Sequence, residues 1–458
     1  MKMFNTMFDL DRSSGQDLYV QVYQYMKDMI ESGNVKAHTK IPSIRQGALD
    51  LGLSRTTLEN AYNQLLLEGY IYSKQRSGYY VSDIGESVPV TGFSYKSVDS
   101  QPVQPETNDY FMGKDLFEFN GWRKYYDQVL SYESHKLLRE AFPQGEYELR
   151  KEIAVYVLQA RGVHCNADRI VIGAGVQVLL GILSVLLREM NIRSIAVEEP
   201  GFTDVQHVFR DYFLDIYPVP VTHHGLTINE LTKTKVRVCY VSPTHQYPTG
   251  AILPVSGRID LLRWAASVDG FIIEDDYDSE LRYSGRPVPG LQGLDSDDRV
   301  IFLGSFSTIL LPSTRISYMI LPERFYRVYT LYMHKYRQTV SKTEQLVLAH
   351  YIKDGEYQRH LRRIRKRFSI KHGVTRQAIE KKAIPGVIME DSSSGVNIPL
   401  RFNRSVRLDQ LVKKAAESGL KVRQITDSLL MYNFAFIADD KIREAVDKLA
   451  EIIEESAE

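Results

Sequence analysis

Cysteine, long apolar runs and net charge are all scarce in this sequence of 458 residues. Its two cysteines, Cys165 and Cys239, are too few for a disulfide framework or a thiolate zinc site, so we predict no metal centre. No apolar run approaches the roughly 20 residues that span a bilayer, and residues 1–17 lack the apolar stretch of a signal peptide. Because the 57 basic and 57 acidic residues cancel, net charge does not indicate a nucleic-acid partner. We therefore expect a cytoplasmic protein, not associated with a membrane, whose function must be inferred from local patterns.

The first of these patterns lies within residues 11–82 and predicts three helices followed by a hairpin. Apolar residues at helical spacing from Leu18 to Ile30 indicate the first helix, which Gly33 ends. Two short helices follow, each preceded by a serine N-cap and ended by a glycine. The two pairs are Ser43 with Gly52, and Ser54 with Gly69. Residues 70–81 then alternate on both sides of a turn, as a β-hairpin does. This order is typical of a winged helix-turn-helix.

The residue types at the start of the third helix suit the reading of DNA. A recognition helix places polar side chains at its N-terminal end, where they enter the major groove. Arg55 reaches guanine or phosphate, whereas Thr56 and Thr57 bond phosphate or touch a thymine methyl group. Basic residues on the second helix and the wing would neutralise backbone charge, and a glycine lets the wing tip approach a groove. The predicted DNA-binding residues are Arg45, Ser54, Arg55, Thr56, Thr57, Tyr62, Lys74, Arg76 and Gly78. The alternative is an ordinary three-helix domain with a hairpin.

Residues 41–45, 51–62, 68–70 and 77–81 together resemble the winged helix of the GntR family of transcription regulators. The resemblance implies that the partner is double-stranded DNA. One departure is Gly47, where the family usually has leucine, and glycine inside a helix costs about 1 kcal/mol.

A second region, residues 116–458, follows a segment at 83–115 that has no sustained period and is predicted to be an interdomain linker. The second region alternates helical stretches with short apolar runs that end in polar or glycine residues. Such alternation predicts an α/β domain built on a mainly parallel sheet. Ligands of these sheets bind beyond the carboxyl ends of the strands, so we expect the site where the polar residues cluster.

The strand ends resemble those of fold-type I pyridoxal-phosphate aminotransferases, in the arrangement of the MocR, or GabR-like, subfamily of GntR regulators. The motifs that carry this resemblance lie at 143–150, 173–177, 198–201, 242–250, 274–280 and 304–318. The resemblance implies a homodimer and assigns roles in a cofactor pocket. Asp275 corresponds to the partner of the pyridine nitrogen, Tyr277 to the hydroxyl that bonds ring O3′, and Arg315 to the phosphate arginine. The predicted pocket residues are Gly175, Val176, Gln177, Phe202, His245, Asp275, Tyr277, Ser305, Ser307, Thr308 and Arg315. The alternative for Asp275 and Tyr277 is a strand-end turn whose hydrogen bonds are satisfied.

The pocket lacks the residue that makes such domains enzymes. Where the family has a lysine after Ser-Phe-Ser, this chain has Thr308, and no lysine occurs between Lys235 and Lys335. Threonine supplies neither the amine for a Schiff base with pyridoxal phosphate nor the base for a proton shift. The sequence therefore predicts no catalytic residue, no covalent cofactor and no transamination.

Other positions depart from the family in the same direction. The phosphate-cradle hydroxyl is replaced by Val176, and the ring-stacking position is Phe202, which stacks but lacks a hydroxyl. Two arginines that grip a carboxylate in GABA-sensing relatives correspond to Asp204 and Phe436, so we expect the pocket to repel an anionic amino acid.

Three functions stay open at this point. The favoured one is a DNA-binding regulator whose degenerate aminotransferase-like domain senses an unknown small molecule. The second is a DNA-binding dimer without a ligand, and the third is a working aminotransferase with an appended winged helix, which Thr308 argues against. Non-covalent binding of pyridoxal phosphate also stays open. A basic helix containing residues 359–367 is either a solvated face or a second DNA contact.

Overall fold

The computed structural model of this chain describes residues 10–12, 15–85, 117–283, 288–390 and 394–457. It divides into two compact units, 1–104 and 105–458. The predicted linker at 83–115 falls almost entirely outside the described residues. No helix in the described ranges is long and apolar enough to cross a membrane.

The N-terminal unit has the predicted order of three helices and a hairpin. Its elements are α1 (Leu18–Glu31), α2 (Ile44–Leu51), α3 (Arg55–Leu67), β1 (Ile71–Lys74) and β2 (Gly78–Val81). The serine caps are as predicted, because Ser43 Oγ accepts from Gln46 N at 3.2 Å and Ser54 Oγ accepts from Thr57 N at 3.0 Å. Gly52 ends α2 with φ 61°, a conformation that glycine adopts without strain. Apolar side chains of α1, α3 and the hairpin form one buried core.

The C-terminal unit contains two sheets and twelve helices in the described residues. Its helices are α4 (Phe119–Tyr132), α5 (Ser134–Leu137), α6 (Tyr147–Arg161), α7 (Val176–Glu189), α8 (Thr203–Asp211), α9 (Ile228–Lys233), α10 (Val255–Ser267), α11 (Glu323–Tyr332), α12 (Lys342–Lys353), α13 (Glu356–Lys382), α14 (Leu408–Glu417) and α15 (Ile442–Glu455). Its strands are β3 (Ile170–Ala174), β4 (Ser194–Glu199), β5 (Asp215–Thr222), β6 (Gly225–Leu226), β7 (Val238–Val241), β8 (Phe271–Asp276), β9 (Val300–Ser305), β10 (Ile316–Ile320), β11 (Val387–Met389), β12 (Asn397–Phe402), β13 (Lys421–Thr426) and β14 (Leu429–Asn433).

The large sheet has eight strands in the order β3-β10-β9-β8-β7-β4-β5-β6. Strands β5, β4, β7, β8 and β9 run parallel, which confirms the expected architecture, while β10 runs antiparallel to both of its neighbours. The carboxyl ends of the parallel strands therefore meet the amino end of β10 at one edge of the sheet. That edge collects the polar residues that follow β4, β7, β8 and β9, together with Arg315, which precedes β10.

The smaller sheet is antiparallel, with the order β11-β12-β14-β13. Helix α15 packs on α13 and α14, and these helices share an apolar core with the small sheet, α4, α6 and α12. Residues of β13 and of the segment before β12 reach the strand-end edge of the large sheet. The small sheet thereby supplies side chains to the site.

Candidate functional site

The N-terminal end of α3 presents two exposed side chains, Arg55 and Thr56. The neighbouring hydroxyls have a structural role, because Ser54 Oγ caps the helix and lies 2.7 Å from Thr57 Oγ1. Arg45 on α2 is also exposed. This arrangement leaves Arg55 and Thr56 as the side chains of α3 best placed to contact base edges.

The hairpin presents further positive charge. The Lys74 ammonium lies 5.6 Å from the ring centroid of Tyr72 and 4.8 Å from that of Tyr80, which orients it beside the turn. Arg76 within the turn is exposed, and Gly78 follows with φ 112°. Lys40 also lies here, because its Cε is 3.5 Å from where a Cβ on Gly78 would be. Sequence reasoning missed Lys40, since its proximity depends on a bridge between Lys40 and Tyr80 that no local pattern indicates.

The prediction that Tyr62 contacts DNA is wrong. Tyr62 is 0% exposed, its hydroxyl donates to Pro42 O at 3.0 Å, and its ring meets that of Tyr79 edge to face. Burial raises the pKa of this hydroxyl. The side chain therefore packs the three-helix core against the wing, because its position on α3 faces inward rather than towards solvent.

The candidate pocket lies at the carboxyl ends of the parallel strands. The residues at one end of it suit an anion. Gly175 has φ 95° and lies before the first turn of α7, whose N-terminal backbone N–H groups attract negative charge. The positive φ favours glycine here, and the Arg315 guanidinium approaches closely, with its Nη2 2.6 Å from where a Cβ on Gly175 would be. In the described part of the chain Arg315 is exposed and has no hydrogen-bond or ion-pair partner. Ser305 Oγ, which accepts from Ser307 N and Ser317 Oγ, adds a hydroxyl. Val176 is half-buried and Gln177 is exposed, and neither adds charge.

The other end of the pocket carries a buried carboxylate with an unmet hydrogen-bonding capacity. Asp275 is 4% exposed, and the Tyr240 hydroxyl donates to its Oδ2. Its Oδ1 is buried without a partner in the described residues. Burial raises the pKa of Asp275 to about 7, and the neighbouring carboxylates add to the rise. A pyridine ring N–H is the kind of donor that this oxygen lacks, so Asp275 fits the cofactor better than the alternative of a satisfied turn.

Between these two ends lie Tyr277, His245 and Thr308. The Tyr277 hydroxyl is 3.0 Å from His245 Nδ1, which is also 2.8 Å from both carboxylate oxygens of Asp278. The His245 and Tyr277 rings stack with centroids 5.8 Å apart. Thr308 Oγ1 donates to the backbone carbonyl of Tyr277 at 3.0 Å. Three half-buried side chains from three different strand ends thus meet at one place, as the sequence predicts.

Aromatic residues cluster around Tyr277, and an arginine lies beside them. Tyr247 meets Phe202 and Tyr277 edge to face, at 5.4 and 5.9 Å between centroids. Arg423 of β13 donates to the Tyr247 hydroxyl. Sequence reasoning missed Tyr247 and Arg423, because Arg423 belongs to the small sheet and only the tertiary fold brings it here.

Asp204 and Phe436, which stand where GABA-sensing relatives have carboxylate-binding arginines, differ in their surroundings. Asp204 is exposed on α8, whereas the Lys421 ammonium lies 3.7 Å from the ring centroid of the half-buried Phe436. A cation therefore lies beside Phe436, and the repulsion of anionic amino acids from the pocket stays a prediction.

Glu198 lies beneath the pocket and makes the stability of the fold depend on pH. It is buried and accepts from Ser242 N at 3.1 Å, and burial raises its pKa to about 8. Because the folded state keeps a proton that the unfolded state loses, this contribution is full below the unfolded pKa and is lost as pH rises towards 8. Each pH unit in that window costs up to about 1.4 kcal/mol.

Glu198→Gln is therefore expected to flatten the fall in the free energy of unfolding between about pH 5 and 8. Urea denaturation at several pH values measures this fall. The matched control is Glu199→Gln, which changes an exposed neighbour and should follow the wild-type curve. Parallel curves for wild type and Glu198→Gln would show that Glu198 ionises normally in the folded state.

The basic helix α13 is mostly engaged within its own unit. Ion pairs join Arg359 to Glu356, Arg363 to Glu118 and Arg367 to Asp439, and Arg365 Nε donates to the backbone carbonyl of Glu280. Within the described ranges, Arg362 and Lys366 are exposed without such partners. Arg362 and Lys366 are therefore the basic side chains of α13 that are best placed to make a second DNA contact.

Comparison with known proteins identifies both units. Residues 18–81 match the family described as bacterial regulatory proteins, gntR family, and residues 107–449 match aminotransferase class I and II. Over 458 residues the chain is 39% identical to the uncharacterized HTH-type transcriptional regulator YdeL of Bacillus subtilis strain 168, covering 96% of this chain and 97% of that protein. It is 29% identical over 430 residues to the probable rhizopine catabolism regulatory protein MocR of Rhizobium meliloti, covering 90% and 87%. The chain belongs to the MocR-like regulators of the GntR family.

A solved structure shows that the C-terminal unit of this regulator has an aminotransferase fold. The crystal structure of kynurenine aminotransferase from Pyrococcus horikoshii superimposes with a TM-score of 0.68 at 24% identity, covering 76% of this chain and 89% of that chain. This likeness confirms the fold, and with the family matches it confirms the predicted fold class of a winged helix-turn-helix joined to a fold-type I domain.

Proposed function

We propose that this regulator binds double-stranded DNA through α3 and the wing, and that its aminotransferase-like domain holds a small molecule without transforming it. The observation that carries the proposal is Thr308, which is half-buried and donates to the backbone carbonyl of Tyr277, two residues after Asp275. The chain keeps the groups that suit the ring and the phosphate of pyridoxal phosphate, yet it has threonine where the family has its lysine. A pocket of this composition supports binding without covalent chemistry.

When pyridoxal phosphate is bound to a protein, it supplies an aldehyde and an electron sink. In this chain Asp275 would hold the ring nitrogen, Arg315 and the Gly175 backbone would hold the phosphate, and Phe202 would stack on the ring. Thr308 has no amine, and a hydroxyl is a poor base at neutral pH. Thr308 therefore cannot carry the proton that transamination moves.

A regulator that binds chromosomal DNA acts in the cytoplasm of a bacterium, and a dimer suits paired half-sites in DNA. We propose a homodimer built through the C-terminal unit. The unit exposes large apolar side chains within a short stretch of chain, with Tyr132 80%, Leu138 87% and Phe142 61% exposed. Exposed apolar residues in such density indicate a protein interface.

Leu138→Asp is accordingly expected to shift the protein from dimer to monomer, because it places a charge among the apolar side chains of the proposed interface. Light scattering at micromolar concentration measures the mass. Phe213→Asp, which alters a residue that is 80% exposed elsewhere in the same unit, controls for the added charge. A monomeric wild type with intact DNA binding would contradict the proposed assembly.

A DNA-binding dimer without a ligand is the second candidate, and Val176 in place of the phosphate hydroxyl favours it. A thermal-shift screen separates the two, because a ligand that binds the folded state raises its melting temperature. No shift with pyridoxal derivatives or other metabolites would favour the ligand-free dimer.

The test of DNA binding is a gel-shift titration on genomic fragments upstream of the regulator's own gene. We expect a retarded complex whose affinity falls steeply with salt, because cationic side chains displace counterions from phosphates. Absence of any bound fragment would contradict the proposal.

A further inference from the structure

We propose that the pocket selects the amine form of the cofactor, pyridoxamine 5′-phosphate, over the aldehyde form, and that Thr308 and the surrounding carboxylates make the selection. This inference rests on the proposed function of the pocket and names its ligand. It inverts the preference expected of a lysine-bearing site, in which a covalent link holds the aldehyde.

The hydrogen-bonding state of Thr308 is the first argument. Its single hydroxyl proton is donated to Tyr277 O at 3.0 Å. Thr308 Oγ1 therefore has only its lone pairs left to offer a ligand. An ammonium group has three N–H donors and no acceptor, so it can satisfy such an oxygen. An aldehyde oxygen only accepts, and it would face another acceptor unless Thr308 gave up its bond to Tyr277.

The charge around this position is the second argument. Glu274, Asp275, Asp276, Asp278 and Glu280 are all buried within one strand end. Arg161 Nε lies 2.7 Å from Asp276 Oδ2 and His245 Nδ1 lies 2.8 Å from Asp278, whereas no cationic side chain in the described residues pairs with Asp275. Residue 308 is threonine, so it adds no positive charge there. A ligand that brings its own ammonium compensates buried carboxylates, whereas a neutral aldehyde does not.

The space around residue 308 is the third argument. A lysine carries four methylene groups and an amine beyond its Cα, whereas threonine ends at a methyl group and a hydroxyl. Thr308 therefore fills less of this position than the family's lysine would. An amine on the 4′ carbon of the ligand would supply the group that the protein lacks there.

Residues at the two ends of the pocket would hold the ring and the phosphate. The unpartnered Asp275 Oδ1 would accept from the ring nitrogen, and Arg315 with the Gly175 backbone would hold the phosphate. These contacts are common to both forms of the cofactor. They set the affinity, and the group at the 4′ carbon sets the preference.

The experiment compares pyridoxamine 5′-phosphate and pyridoxal 5′-phosphate by isothermal titration calorimetry on the full-length protein. We expect the amine form to bind roughly tenfold more tightly or better, the effect of one hydrogen bond to a charged group. Thr308→Val keeps the shape but removes the accepting oxygen, and should reduce the advantage severalfold. Asp275→Asn should weaken both forms alike, and Thr308→Lys should reverse the preference.

Equal or tighter binding of the aldehyde by the wild type would overturn the inference, as would an advantage that Thr308→Val leaves unchanged. Failure of both forms to bind at millimolar concentration would also overturn it. The same preparations are assayed for DNA binding by gel shift, so loss of this inference is distinguished from failure of the regulator assignment.

Discussion

Arg55→Ala is expected to weaken binding to the operator by roughly tenfold to a hundredfold, because an arginine that contacts a base edge contributes about 1–3 kcal/mol. Arg55 is the first residue of α3, and it is exposed at the end of the helix that enters the major groove in this fold. Fluorescence anisotropy with the fragment found by gel shift measures the change. If Arg55 contacts a base, the loss of affinity should be larger for the operator than for unrelated DNA.

Arg263→Ala is the matched control, since it removes the same charge from an exposed helix of the C-terminal unit. Its operator affinity should remain that of the wild type. If Arg55 contacts a phosphate instead, its replacement weakens all sequences alike and reduces the salt slope by about one. Unchanged affinity in Arg55→Ala would contradict the placement of α3 as the recognition helix.

Thr308→Lys is expected to convert a protein without covalent cofactor into one that links pyridoxal phosphate stoichiometrically. The new amine would stand at the end of β9, with Asp275 and Arg315 retained at the two ends of the pocket. Desolvation lowers the pKa of a buried lysine, which leaves more of its amine unprotonated and able to attack the aldehyde. Absorbance near 400 nm after the addition of pyridoxal phosphate measures the gain.

Thr308→Met is the control for this gain, because methionine has similar length but no amine. After the addition of pyridoxal phosphate, it should show only the absorbance of the free cofactor. If Thr308→Lys also shows only this absorbance, the loss of function extends to the contacts for the ring and phosphate, and the domain serves as a scaffold or as a sensor of an unrelated molecule.

The success and the failures of sequence reasoning here have a physical basis. Helix caps and strand ends are local features, so Ser43, Ser54 and Gly52 are found where predicted. Polar residues after parallel strands must converge, since such strands end at one edge. This explains why side chains as distant in sequence as His245 and Thr308 meet in one pocket.

The errors concern features that depend on tertiary packing. Tyr62 carries a polar atom, but its ring lies on the inward face of α3, and the hydroxyl is satisfied by a backbone carbonyl 20 residues away. Lys40 and Arg423 reach their sites across pairings between separate elements. No periodicity in their own segments indicates these contacts, which is why the sequence did not reveal them.

We propose above all that the pocket of this regulator cannot hold pyridoxal phosphate covalently. The most direct test is to incubate the wild-type protein with excess pyridoxal phosphate, reduce it with borohydride and map adducts by mass spectrometry. We expect no stoichiometric adduct at any lysine, since position 308 is threonine and no lysine occurs between Lys235 and Lys335. Stoichiometric labelling of one lysine, such as the buried Lys371 on α13, would contradict it.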